Sequence, residues 1–154
     1  MSVARYGFLG ALAPPHRERL LAFAREVRFP AETRVFEEAG PADRFWLVRS
    51  GLVALDIHVP GRRATVVETL GQGELLGWSW LFEPYRWHLG ARCHAGVTAY
   101  EFDAEPIRAA CEEDTDFGLA LTHGVAEVIA RRLKATRTRL LDLYGPPGSG
   151  GATP

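Results

Sequence analysis

Residues 42–53 read ADRFWLVRSGLV, in which two apolar runs flank the turn Ser50-Gly51. The first run covers residues 45–48, and the second extends over residues 52–57. Short runs rich in aromatic and β-branched residues on either side of a glycine turn are typical of paired β-strands. This stretch therefore predicts a strand–turn–strand unit.

The same pattern continues on both sides of this unit, from residue 33 to residue 102. Turns are predicted at Gly40-Pro41, Pro60-Gly61 and Gly71-Gln72-Gly73. Regularly spaced short strands with glycine-rich turns favour a sandwich or barrel, here of about eight strands. The predicted strands cover residues 35–36, 45–48, 52–57, 65–70, 75–76 and 97–102.

Helical spacing of apolar residues flanks the predicted strands on both sides. Pro14-Pro15 begins a predicted helix over residues 16–27, which Pro30 ends. Asp103 is placed to cap a second helix that reaches about Asp114.

A longer helix is predicted from about residue 116 to residue 144, where Gly145-Pro146-Pro147 stops it. Residues 7–144 then form one domain, and residues 145–154 form a flexible tail. Two apolar stripes run along this helix. The inner stripe, expected to pack on the strands, is Phe117, Leu121, Val125 and Val128. The seam, spaced alternately by three and four residues, is Leu119, Thr122, Ala126, Ile129, Leu133, Thr136, Leu140 and Leu143.

The seam gives the long helix a second face to bury. The same helix from a second copy of the chain can cover it about a two-fold axis, so the spacing favours a homodimer. The alternative is a bundle packed wholly within one chain.

Composition excludes several classes of protein. The chain has 154 residues, 47% of them apolar, with 18 basic and 19 acidic side chains and a net charge of −1. This balance gives no general attraction to nucleic acid or to an anionic membrane. No apolar run is long enough to span a bilayer, the N-terminus lacks a secretory signal, and Cys93 and Cys111 are too few for a disulfide scaffold. A cytoplasmic location is expected.

Four segments occur in an order that resembles the cyclic nucleotide-binding domain of the catabolite-activator and fumarate-nitrate regulator family. They are residues 29–40, 42–53, 70–77 and 130–133, and the resemblance covers residues from about 7 to 144. It implies a mainly β fold with flanking α-helices: a double-stranded β-helix (a jelly-roll-like β-roll) with an N-terminal helix and a long C-terminal dimerisation helix.

In that family a phosphate-binding cassette holds the cyclic phosphate at the N-terminus of a short helix. A Glu after a Gly binds the ribose, and an Arg neutralises the phosphate. Gly77 matches the glycine, but Trp78 occupies the Glu position, and the Arg position falls at His88 or one residue earlier at Trp87. Glu74 precedes the glycine and does not replace the missing acid. The resemblance therefore implies a divergent cassette.

The candidate ligand is a cyclic nucleotide or another small anion, and no other cofactor is expected. Arg86, Arg92 and Arg137 are alternative sources of the missing positive charge, and Thr136-Arg137 matches the place where the family's long helix meets the base across the dimer. The candidate ligand-binding residues are Gly77, Trp78, Ser79, Arg86, Trp87, His88, Thr136 and Arg137.

Aromatic residues crowd this cassette, where Trp78, Trp80 and Trp87 lie close in sequence to Phe82 and Tyr85. One interpretation is an aromatic-lined pocket that stacks on a planar ligand. The other is that these rings fill the space that a nucleotide would occupy.

Metal and catalytic patterns are absent from the sequence. The five histidines show no metal-ligand spacing, and no nucleophile elbow, Walker loop or dinucleotide fingerprint occurs. No metal site and no enzymatic activity are expected.

The sequence thus favours a non-enzymatic, ligand-sensing regulatory module with a divergent cassette. The Gly- and Pro-rich residues after the long helix are expected to carry no helix-turn-helix, and thus no nucleic-acid contact through one. The expected partners are a second copy and a separate effector protein, with no membrane. The alternative function is a dimeric structural or protein-interaction adaptor whose pocket is filled by its own side chains.

Overall fold

The computed structural model describes residues 7–144, so the predicted tail lies outside the described residues. The helices are α1 (Gly7–Gly10), α2 (Pro14–Leu21), α3 (Ala104–Glu113) and α4 (Thr115–Tyr144). The strands are β1 (Arg25–Phe29), β2 (Arg34–Phe36), β3 (Arg44–Ser50), β4 (Val53–Ile57), β5 (Thr65–Leu70), β6 (Leu75–Leu76), β7 (Gly90–Cys93) and β8 (Val97–Asp103). A single 3₁₀ turn, Ser79–Leu81, lies between β6 and β7.

The strands form two four-stranded sheets, in the orders β1-β8-β3-β6 and β2-β7-β4-β5. Every strand pairing within residues 7–144 is antiparallel. One apolar core lies between the sheets and continues under α4. The predicted mainly β fold with flanking helices is confirmed.

The turn that joins β3 to β4 requires a glycine. Gly51 has a φ of +96°, and a Cβ there would lie 2.2 Å from the carbonyl oxygen of Gly96. Only a residue without a side chain fits this conformation and this approach. The strand–turn–strand unit in residues 42–53 is therefore confirmed.

The N-terminal helix is shorter than predicted. Residues 16–27 were expected to be helical, but α2 ends at Leu21, and Val27 lies in the strand β1. β1 pairs with β8, which sets Val27 opposite Ala99 and Phe29 opposite Val97. The alternation of apolar residues in Arg25–Phe29 fits a sheet edge, and this pairing overrides the helical spacing seen upstream.

Asp103 stands at the N-cap position of α3, as predicted, but its side chain makes no capping hydrogen bond. Instead, Arg25 donates to both carboxylate oxygens of Asp103, at 2.9 and 3.2 Å. The prediction that this side chain caps the helix is therefore wrong, because the cross-strand arginine takes both oxygens.

Helix α4 carries the two faces expected from its sequence. The inner stripe is buried: Phe117, Leu121, Val125 and Val128 are each at most 4% exposed. In the seam, Ile129 packs against the core, whereas Leu119, Leu133, Leu140 and Leu143 are 53–71% exposed. Within a single chain the outer part of the seam therefore stays uncovered.

None of the helices between residues 7 and 144 combines the length and apolar character that crossing a bilayer requires.

Candidate functional site

The cassette begins at Gly77, directly after β6, and returns to the sheet at β7. Gly77 has a φ of +96°, and its carbonyl accepts a hydrogen bond from the indole Nε1 of Trp80 at 3.1 Å. Trp80 is fully buried and stacks on Phe45 with ring centroids 4.1 Å apart. Trp80 is thus a core residue that fixes the turn at Gly77.

Trp87 covers the other side of Gly77. A Cβ on Gly77 would lie 2.7 Å from two ring carbons of Trp87, so the indole occupies that space. Trp87 is 5% exposed, stacks on Phe36 at 4.0 Å, and exchanges backbone hydrogen bonds with Ala39 and Gly40. The space beside Gly77 is therefore occupied by the protein's own side chain.

Three further candidate residues, Trp78, Ser79 and His88, lie together next to the Trp87 ring. Trp78 stacks on His88 with centroids 5.0 Å apart, and the Ser79 hydroxyl lies 3.0 Å from His88 Nδ1. With Gly77 and Trp87 they line an inner cavity of about 50 Å³. Small-molecule sites usually measure about 300–1,000 Å³, so the inner cavity is too small for a nucleotide.

The other candidates lie apart from the inner cavity. Arg86 is exposed and points its guanidinium toward the carbonyl of Ala39 at 3.5 Å, outside both the inner cavity and the groove described next. Arg92 pairs with Glu32 at 2.9 Å. Arg137 lies with Leu133 and Leu141 in a shallow depression of α4 that the cassette does not line. Within a single chain, none of these arginines supplies positive charge to the cassette.

An outer groove of about 370 Å³ separates the cassette and the second sheet from α4. Thr136, a predicted site residue, lines it together with Glu68 and Arg132. It meets the inner cavity at Leu55, Trp78, Leu89 and Arg132. The apolar lining of the groove consists of Leu55, Val67, Trp78, Leu89, Ile129 and Leu133.

Arg132 is the cation of the outer groove, and it is not among the ligand-binding residues predicted from the sequence. Its Nε lies 3.6 Å from a carboxylate oxygen of Glu68, its Nη2 donates to the Leu75 carbonyl, and its side chain is 14% exposed. Burial lowers the pKa of Arg132, while Glu68 acts in the opposite sense. Burial likewise raises the pKa of Glu68, and the charge of Arg132 opposes that rise. Each group thus compensates for the loss of water around the other.

A second arginine binds α4 to the same strand. Arg139, seven residues after Arg132, donates from Nη1 to the carbonyl of Val67. The ladder between β4 and β5 passes from Leu55 opposite Glu68 to Asp56 opposite Val66, so Val67 is a bulged residue without a ladder partner. Arg132 and Arg139 lie two turns apart on one face of α4.

The cassette is also connected to α3. Arg108 donates from Nη1 to the carbonyl of Trp80 at 2.6 Å, and its guanidinium lies 4.2 Å from the ring centroid of Tyr85. Tyr85 itself has a φ of +56°, in the left-handed region. Helix α3 therefore contacts the cassette directly.

Metal ligation finds no support in the described part of the chain, where no group of three or more His, Cys, Asp or Glu side chains converges. Cys93 and Cys111 are unpaired thiols, and burial raises the pKa of each.

Comparison with known proteins assigns the fold to a family. The model of the family described as "cyclic nucleotide-binding domain" matches residues 26–114, which is more than half of the chain. The chain belongs to this family. The match includes all eight strands except the first residue of β1, and it contains the whole cassette of this cyclic nucleotide-binding domain.

A curated relative is a CRP-like cAMP-activated global transcriptional regulator of Mycobacterium tuberculosis, found in two strains. It is 26% identical over 141 residues, which are 92% of this chain and 61% of the relative. The cyclic nucleotide-binding domain described here thus spans about three fifths of the length of the curated relatives that it matches.

Solved structures share the architecture. A cyclic nucleotide-binding domain from Methylobacillus flagellatus superposes with a TM-score of 0.79 at 12% identity, covering 94% of this chain and 81% of the other. The N-terminal domain of a transcriptional regulator from Streptomyces coelicolor gives a TM-score of 0.68 at 24% identity, covering 92% and 96%. At these identities the likeness establishes the fold of the domain.

Proposed function

We propose that this cyclic nucleotide-binding domain is a non-enzymatic regulatory module that senses a ligand with a divergent cassette. The observation that carries the proposal is the shared outer groove, in which Trp78 and Leu89 of the cassette face Arg132 and Thr136 of α4. A ligand in this groove touches the cassette and the long helix together. Its binding energy can therefore shift the position of the helix, provided that the ligand binds one helix position better than the other.

We also propose that α4 forms a homodimer through its seam, and that the module acts in the cytoplasm on a separate effector protein. The exposed leucines of the seam support the dimer, since an uncovered stripe of this kind is the usual signature of a partner helix. Anchoring of α4 by Arg132 and Arg139 supports it further, because their hydrogen bonds to the Leu75 and Val67 carbonyls fix how α4 lies on the strands while the seam residues Leu119, Leu140 and Leu143 stay exposed.

Hydrogen exchange tests the sensing proposal. The protein is incubated with cyclic AMP, cyclic GMP, cyclic di-GMP, adenosine and guanosine. Hydrogen exchange is measured with each compound, and calorimetric titration shows which of them bind. A compound that binds should slow exchange both in residues 78–89 and in residues 129–136. Binding that protects the cassette alone would refute transmission through the helix, and binding of none of the five would remove the nucleotide version of the proposal.

A second candidate function is a dimeric adaptor with a self-filled pocket. The observation that favours it is the position of Trp87, whose ring fills the space beside Gly77 and leaves an inner cavity of about 50 Å³. An adaptor of this kind keeps the same dimer and the same helix position with every nucleotide tested. Exchange that is unchanged by all of them, in a stable dimer, is the result that would favour the adaptor.

A further inference from the structure

The outer groove is nearly apolar, and its charges cancel. Besides the Thr136 hydroxyl and the indole N–H of Trp78, its polar side-chain groups are one carboxylate, Glu68, and one guanidinium, Arg132, which form an ion pair at 3.6 Å. Two further charges near Glu68 also have opposite signs, since Glu74 raises the pKa of Glu68 and Arg139 lowers it. The groove therefore presents no net charge to a ligand.

This balance differs from what an anionic ligand requires. A phosphate or sulfonate entering the groove would meet the Glu68 carboxylate as well as Arg132, and it would lose water among apolar side chains. An anion without an uncommitted cation is costly to bury. Arg86, Arg92 and Arg137 of the same chain offer no such cation, because each lies outside the groove.

The shape and lining fit a flat apolar molecule. The volume of about 370 Å³ lies within the usual range for small-molecule sites. The half-buried indole of Trp78, which stacks on His88, lines one side of the groove. Leu55, Val67, Leu89 and Ile129 provide apolar contacts, and the Thr136 hydroxyl can exchange one hydrogen bond.

We infer that the outer groove binds an uncharged, planar, mainly apolar molecule, which lies against Trp78 and reaches Thr136. The inference rests on the proposed function, because it names the class of ligand that the regulatory module would sense. It makes the Glu68–Arg132 pair the element that selects against anions, and it leaves the inner cavity unoccupied.

Two fluorescent probes that differ by one charge test this inference on the full chain. N-phenylnaphthylamine is uncharged, and anilinonaphthalene sulfonate has the same ring system with a sulfonate added. Both emit more strongly in apolar surroundings, so their dissociation constants can be measured by direct titration. We expect the uncharged probe to bind about tenfold more tightly or better, as an uncompensated anion beside a carboxylate requires.

Substitutions locate the site and its selectivity. Glu68→Gln keeps the shape of the groove and leaves Arg132 without its counter-charge. The difference in affinity between the uncharged probe and the sulfonated probe should therefore become smaller or reverse. Leu133 and Leu119 are both exposed seam leucines, but only Leu133 lines the groove, so Leu133→Ala removes a groove side chain and Leu119→Ala is its control in the seam. Only Leu133→Ala should weaken N-phenylnaphthylamine, by about threefold or more, as expected for lost apolar contact.

Three results would overturn the inference. The first is equal affinity of the wild-type protein for the two probes, and the second is an unchanged ratio of the two affinities in Glu68→Gln. The third is an equal loss of N-phenylnaphthylamine affinity in Leu133→Ala and Leu119→Ala. Each is independent of the proposed function. A monomeric protein, or a bound probe that leaves hydrogen exchange of α4 unchanged, would refute the regulatory dimer while the selectivity of the groove stands.

Discussion

The indole of Trp87 lies directly over Gly77, with two ring carbons 2.7 Å from the point where a Cβ would stand. Each residue thus accounts for the other: the absence of a side chain at residue 77 makes room for the ring, and the ring closes the space beside the glycine. Packing among the cassette's own residues therefore fills the space beside Gly77.

Removing the Trp87 side chain should lower the stability of the domain. Trp87→Ala deletes a side chain that is 5% exposed and stacked on Phe36, so we expect a loss of about 3–5 kcal/mol in the free energy of unfolding. Urea denaturation followed by circular dichroism measures it. Arg86→Ala, at the exposed neighbouring position, is the control and should stay within about 0.5 kcal/mol of wild type. A near-neutral Trp87→Ala would show that the ring is not part of the core.

Gly77→Ala should destabilise the domain through the same contact. The new methyl group meets the Trp87 ring, and the φ of +96° adds backbone strain. We therefore expect the two substitutions to be non-additive: Gly77→Ala should cost less in a Trp87→Ala background, by about 0.5–3 kcal/mol. Denaturation of both single variants and the double variant gives this coupling. Strict additivity would mean that the ring can move aside freely.

Arg132 and Glu68 form an ion pair beneath α4, and the effects of substituting them on stability should also be non-additive. Arg132→Met removes the contacts to Glu68 and to the Leu75 carbonyl, and it leaves a partly buried carboxylate without its partner. We expect a loss of about 1–3 kcal/mol, which Glu68→Gln should largely relieve in the double variant. Arg131→Met, on the exposed side of the helix, is the matched control. Equal effects of Arg131→Met and Arg132→Met would contradict a special role for Arg132.

Stability should fall in acid through Asp103. Two hydrogen bonds from Arg25 hold the pKa of the Asp103 carboxyl below its ordinary value of 3.8. A carboxyl with a depressed pKa adds stability that is fully present above the unfolded-state pKa and is lost as the pH falls through the folded-state pKa. Asp103→Asn should therefore lower stability at neutral pH and flatten its decline below about pH 4. Urea midpoints across this range check the effect, with Glu113→Gln on the exposed face of α3 as control.

The seam should determine the oligomeric state. Leu133→Asp and Leu140→Asp place charges in the centre of the proposed helix pair, and each should convert a dimer into a monomer because buried unpaired charge is costly. Light scattering at micromolar concentration measures the mass. Thr138→Asp, an exposed position off the seam, should remain dimeric. A wild-type protein that is monomeric under these conditions would refute the proposed dimer.

The strands that turns delimit could be predicted closely from the sequence. The predicted strands 65–70 and 75–76 agree with β5 and β6 residue for residue, because glycine and proline turns bound them and their apolar runs are short. The end of the first helix could not be predicted in this way. Val27 fits both the helical spacing and the alternation of β1, and only the pairing with β8 decides between them.

Only some residues of the candidate site could be predicted from the sequence, and the side-chain directions within the cassette show one reason. Side chains alternate along an extended segment, so once Trp87 points into the core, Arg86 must point away from it. Arg132 and Glu68 are far apart in sequence, and their pairing depends on how α4 lies across β5. The motif at residues 130–133 and the four-residue spacing from Arg132 to Thr136 were the signals that could have identified Arg132.

The two arginines that fasten α4 both end on main-chain oxygens, those of Leu75 and Val67. A peptide carbonyl is present whatever residue occupies the position, so the side chains at 67 and 75 can change without loss of these bonds. An added or deleted residue in β5, by contrast, would move or abolish the bulge. These two bonds of the long helix thus tolerate substitution at residues 67 and 75, whereas the bond to Val67 is sensitive to the length of β5.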